Sequence, residues 1–97
     1  MRNEEEDMQG DMLTIKVLGP GCSNCQRVEE HTLAALEAVA EDMPDLEATV
    51  MHVTERDKIM AYPIMATPGL VINEKLVSGG RIPSVDEIKG WILEAVA

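Results

Sequence analysis

The chain has 97 residues, which allows one domain with one modest hydrophobic core. Asp and Glu number 18 against 8 Lys and Arg, a formal net charge of -10, and a surface of that sign disfavours nucleic acid and anionic membranes as partners. No apolar run reaches the length of a bilayer span, and with no Phe, one Tyr and one Trp the core has to come from Leu, Ile, Val, Met and Ala.

Residues 1–10 hold Glu4, Glu5, Glu6 and Asp7 against Arg2 and end in Gly10, so a disordered acidic tail is expected there, with the folded domain over 11–97. This beginning is acidic where a signal peptide would be basic, and it lacks an apolar stretch, which points to the cytoplasm. The first strand is predicted over 12–18, carried by Ile15, Val17 and Leu18, with Lys16 marking a strand end or a snorkelling position. Gly19, Pro20 and Gly21 stop the strand. From Ser23 the spacing becomes helical to about residue 41. Val28, Thr32, Ala35, Leu36 and Val39 share one face, and Glu29, Glu30, Glu37 and Glu41 form the wet side. Pro44 ends this helix. A second strand is predicted over 47–53; both of its faces are mostly apolar, which suggests cover by helices on both sides. Thr54 is placed to cap a short helix, with Asp57 in the capping-box position and Ile59 and Met60 at its close. Residues 70–72 and 75–77 read as a hairpin turning at Asn73-Glu74, with Gly79-Gly80 breaking its second strand. Ser84 and Glu87 form a capping box ahead of a last helix striped with Val85, Ile88, Trp91, Ile92 and Ala95. The order is β-α-β-α-β-β-α. An α/β fold is expected, with a four-stranded mixed sheet, helices on both faces, and a parallel first pair of strands.

The chemistry-bearing residues are Cys22 and Cys25, in a Cys-x-x-Cys between a strand and a helix. Open α/β sheets carry their sites beyond the carboxyl ends of central strands, where this pair falls. Unpaired N–H groups and the dipole at a helix start favour a thiolate. Cys22, on the loop side, is the expected nucleophile, and Cys25, one turn deeper, the expected resolving thiol. With two cysteines in a reducing compartment, a purely structural disulfide is the lesser use of the pair. Ser23 and Asn24 either tune the Cys22 sulfur or cap backbone N–H groups. Three other readings stand beside thiol–disulfide exchange: inert buried cysteines, a soft-metal carrier holding Cu(I) or Zn on Cys22 and Cys25, and a non-catalytic interaction module suited to the acidic surface. A closed zinc site needs two more ligands, which His31 and His52 are poorly placed to give; each reads as a packed or solvated histidine. Met51, Met60 and Met65 read as pliable packing rather than copper ligands, and Trp91 as a core anchor. Arg81 is either a surface charge or a partner contact.

Gly19-Pro-Gly-Cys-Ser-Asn-Cys25, Tyr62-Pro-Ile-Met-Ala-Thr-Pro68 with the following Gly-Leu-Val-Ile-Asn73, and Gly79-Gly-Arg-Ile-Pro-Ser-Val-Asp-Glu-Ile88 together resemble the thioredoxin/glutaredoxin superfamily. The similarity is greatest to the compact thioredoxin-like redox-active disulfide proteins of archaea and bacteria, from about residue 12 to the last. It differs from thioredoxins in having Gly21 rather than Trp before Cys22. Ser23-Asn24 is neither the Gly-Pro of thioredoxin nor the Pro-Tyr of glutaredoxin. The resemblance implies a thioredoxin-like fold, a cis peptide at Thr67-Pro68 beside the cysteines, and an oxidoreductase exchanging protein disulfides without a cofactor. It implies a disulfide-containing protein substrate and an upstream dithiol reductase as partners of a monomer. Substrate contacts are expected on Pro20, Gly21, Ser23, Asn24, Met65, Thr67 and Pro68.

Overall fold

The structure, a computed structural model, describes residues 12–21 and 23–96. The acidic segment over 1–10 and Cys22 lie outside the described residues.

Strand β1 (Met12–Leu18) is the spine of the sheet. Its apolar residues alternate, so Leu13, Ile15 and Val17 are buried on one face and Leu18 on the other. Strand β2 (Glu47–Val53) pairs with it in parallel, and β3 (Gly69–Ile72) pairs antiparallel on its other side. Strand β4 (Lys75–Gly79) completes the order β2-β1-β3-β4. The mixed sheet and the element order agree with the sequence reading.

Helix α1 (Ser23–Asp42) buries Cys25, Val28, Thr32, Ala35 and Val39, a stripe at helical period. The buried Thr32 hydroxyl donates to the Val28 carbonyl at 2.8 Å, so it carries no unmet polar cost. Helix α3 (Val85–Val96) buries Ile88 and Ile92 and packs on α1 over the same sheet face. The expected capping box is formed: the Glu87 N–H donates to Ser84 Oγ at 3.1 Å, and the Ser84 N–H donates to Glu87 Oε1 at 3.0 Å. His31 Nδ1 lies 2.9 Å from the Pro83 carbonyl, which only accepts, so that nitrogen carries the proton. This bond ties α1 to the chain just before α3.

The opposite sheet face is covered thinly. Helix α2 (Arg56–Ile59) is a single turn whose Ile59 packs with Leu18 and Val71, beside Val53, Tyr62, Ile64 and Leu76. Two expectations fail here. Thr54 is not the cap: Glu55 holds that position, extended at φ -77 and ψ 130, and makes no side-chain cap bond. Strand β2 is not enclosed on both sides either. It is an edge strand paired only with β1, and one helical turn is too short to cover it, so Ala48, Thr49, Met51 and His52 face solvent.

The hairpin turns at Asn73 (φ 51) and Glu74 (φ 68), both left-handed as a type I′ turn requires. Asn73 is at home there. Its N–H donates to the Thr14 carbonyl at 2.8 Å and its Oδ1 accepts from the Thr14 N–H at 3.0 Å, pinning the turn to β1. Glu74 has no such intrinsic tolerance. Its carboxylate instead accepts from Lys16 Nζ at 2.7 Å and from the Tyr62 hydroxyl at 2.8 Å, while Lys16 also donates to Tyr62 at 2.8 Å. The bond from Lys16 holds the Glu74 carboxyl below its ordinary value, helped by Tyr62, and the bond to Glu74 raises Lys16. Lys16 is thus one corner of a closed triangle joining β1, the hairpin turn and the segment after α2.

Candidate active site

The loop after β1 is positioned from both ends. The Gly19 N–H donates to the Val53 carbonyl at 3.0 Å, extending the β1–β2 pairing by one step. Gly21 sits at φ 97, a conformation that a residue with a Cβ rarely adopts. Ser23 then opens α1, and Ser23 and Asn24 are exposed. Cys25, third in the helix, is fully buried in the main core cluster.

The Cys25 sulfur lies against the backbone of Gly19. A Cβ built on Gly19 would overlap Cys25 Sγ, and it would come 3.8 Å from the Thr67 Cβ. The end of β1, the start of α1 and residue 67 therefore converge at one point. The Thr67-Pro68 peptide is cis. Pro68 is buried and its carbonyl accepts from the Gly80 N–H at 2.9 Å, which anchors the loop to the end of β4. Among the described residues the Thr67 backbone makes no hydrogen bond.

A groove of about 510 Å³ opens beside this point. Pro20 forms one side; Thr54, Arg56, Ile59 and Met60 form another; Ile64, Met65, Ala66 and Thr67 line the rest. Met60 is 66% exposed and Met65 100% exposed, so neither is packing material, and Met51 on the edge strand is 47% exposed. The reading of these methionines as pliable packing does not hold, because all three sit exposed on the thinly covered face or its rim. Of the residues picked from the sequence, Pro20, Met65 and Thr67 share the groove. Gly21, Ser23 and Asn24 follow Pro20 along the exposed loop and helix start, and Pro68 sits beneath. Sequence reasoning missed the α2 wall with Arg56 and Met60, and it missed Gly19 as the neighbour of the sulfur. An exposed methionine has no signature in a sequence, but the glycine immediately after an apolar strand was a usable signal.

Other sequence candidates lie elsewhere. His52 is exposed on β2, and Trp91 is half-buried against the main cluster. Arg81 donates two hydrogen bonds to Glu87, at 3.0 and 2.8 Å, and so is paired within the chain. Among the described residues no three His, Cys, Asp or Glu side chains cluster so as to hold a metal ion. The element order β-α-β-α-β-β-α differs from the β-α-β-β-α-β of ferredoxin-like metal carriers. No helix among the described residues is long and apolar enough to cross a membrane.

Comparison with known proteins agrees with this geometry. A family model described as thioredoxin domain matches residues 13–93. A protein named thioredoxin from Methanothermobacter thermautotrophicus is 37% identical over 78 residues, covering 80% of this chain and 95% of its own length. Another named thioredoxin, from Methanocaldococcus jannaschii, is 32% identical over 78 residues, covering 80% of this chain and 84% of that protein. With a match that runs through nearly every element of the sheet and its helices, the chain belongs to the thioredoxin family.

Proposed function

We propose that the chain is a cytoplasmic thiol–disulfide oxidoreductase that reduces or exchanges disulfides in protein substrates through Cys22 and Cys25. Cys22, as thiolate, attacks one sulfur of the substrate disulfide. That S–S bond breaks, the other substrate sulfur leaves as thiolate, and a mixed disulfide links Cys22 to the sulfur it attacked. Cys25, as thiolate, then attacks the Cys22 sulfur and the attacked substrate sulfur leaves. The substrate has gained two electrons and the chain holds a Cys22–Cys25 disulfide, which an upstream dithiol reductase returns to thiols. The start of α1 favours the attacking thiolate through its unpaired N–H groups and dipole.

The observation that carries this reading is the meeting of the buried Cys25 sulfur, Gly19 and Thr67 at the head of an apolar groove. The backbone of Thr67 is available there to bond an extended substrate segment, as strand addition requires. Pro20, Gly21, Ser23, Asn24, Met65 and the Thr67-Pro68 step are the surfaces such a segment would touch. No cofactor is needed, because the electrons move between sulfurs.

The test is a pair of cysteine variants. Cys25→Ser is expected to accumulate a mixed disulfide on Cys22, seen as an adduct by mass spectrometry, and Cys22→Ser to abolish attack. Adducts formed only on Cys25 would reverse the roles. If neither variant forms an adduct and the unaltered chain binds one Cu(I) through both sulfurs, the protein is a metal carrier instead.

A further inference from the structure

We propose that Gly19 is a positioning residue for the resolving sulfur: the residue just after β1 lacks a side chain so that Cys25 Sγ can occupy the space beside Thr67. This rests on the reading of Cys22 and Cys25 as an exchanging pair.

Glycine is usually required for one of two reasons, a left-handed backbone or a crowded approach. Gly21 has the first, at φ 97 with nothing within 4 Å of an added Cβ. Gly19 does not: its φ lies outside the left-handed region, so its backbone suits any residue. An added Cβ there would overlap one atom, Cys25 Sγ. Its next contacts, with the Cys25 Cβ at 3.6 Å and the Thr67 Cβ at 3.8 Å, are ordinary van der Waals separations. A single sulfur thus excludes every side chain larger than hydrogen from the position just after the central strand.

The exclusion works in both directions. An alanine at 19 would force Cys25 Sγ into another staggered position, among the packed side chains of the main core cluster. Resolution requires that sulfur to attack Cys22 in line with the bond it breaks, and misplacement on the order of 1 Å can cost about a hundredfold in rate. Initial attack by Cys22 makes no such demand on Cys25. The glycine therefore acts on the second step of exchange more than on the first.

A symmetrical nitrobenzoate disulfide with a coloured thiolate separates the steps. Attack releases one coloured thiolate and leaves a mixed disulfide; resolution releases the other and closes the internal disulfide. In Gly19→Ala the second phase is expected to slow by about tenfold or more relative to the first. Urea unfolding of the reduced chains gives a second reading: Gly19→Ala should lower the midpoint in the parent chain and much less in a Cys25→Ala background. Should Gly19→Ala alone not fold, recovery of folding in Gly19→Ala/Cys25→Ala supports the proposal and failure there overturns it. An unchanged ratio of the two phases, or an equal loss of stability in both backgrounds, overturns it as well. A parent chain with no second phase removes the exchange reading instead, and the urea comparison still decides whether the sulfur is what bars a side chain from position 19.

Discussion

At the scale of single residues, polar bonds set where charge sits. Arg81 donates twice to Glu87, and the Ser84 N–H donates a third bond, so the Glu87 carboxyl falls from 4.5 to about 2. The folded value is below the unfolded one, so this carboxylate contributes stability that is complete above the ordinary carboxylate range. That contribution is lost as pH falls through the folded value. Glu87→Gln keeps the capping-box reach while removing the charge. Urea unfolding at a series of pH values should show the variant less stable than the parent at neutral pH, the gap closing as pH falls from 4.5 to about 2. Both partners are exposed, so added salt should narrow the gap too. Glu74 is held low in the same sense, first by Lys16 and then by Tyr62.

At the scale of elements, the well-marked ones are those whose signals are local. The capping box of α3 is such a signal, and Ser84→Ala should cost about 1 kcal/mol in urea unfolding. An unchanged stability would mean that packing at Ile88 and Ile92 alone holds the helix start. The stripes of α1 and α3, the turn at Asn73 and the strand–loop–helix bearing the cysteines were legible for the same reason: period, caps and turn residues act within a few positions. Strand β2 was legible as a strand but not as an edge. Both of its faces are mostly apolar whether or not a helix lies above, and cover depends on the length of α2, which its sequence leaves open. Thr54 failed as a cap because the single turn starts one residue later than capping propensity alone suggests. The candidate site divides the same way: Cys22-Ser-Asn-Cys25 and Thr67-Pro68 stand out as motifs. The triangle of Lys16, Tyr62 and Glu74 and the groove wall of Arg56 and Met60 are contacts between distant parts of the chain, and no local rule marks them.

At the scale of the whole molecule, the two sheet faces are unequal. One carries α1 and α3 over a cluster running from Leu13 to Ile92; the other carries one helical turn over Leu18, Ile59 and Val71. Burial is the main source of stability, so the faces differ in resistance to opening. Segment 60–67, which brings Thr67 to the cysteine loop, belongs to the weaker one.

That inequality can be watched in light. The chain has one tryptophan, one tyrosine and no phenylalanine. Trp91 packs against the thick side and Tyr62 against the thin side. Each face therefore carries its own chromophore, with no phenylalanine ring to blur the assignment. Trp91 emission, excited beyond the tyrosine band, and the ring-proton resonances of Tyr62 followed through the same urea titration should give two curves. The tyrosine curve should move first, and coincident curves would mean that the thin face opens only when the whole chain does. If a partner docks beside Thr67 as proposed, the tyrosine is in effect a lamp fixed at the door, and the tryptophan one fixed in the foundations.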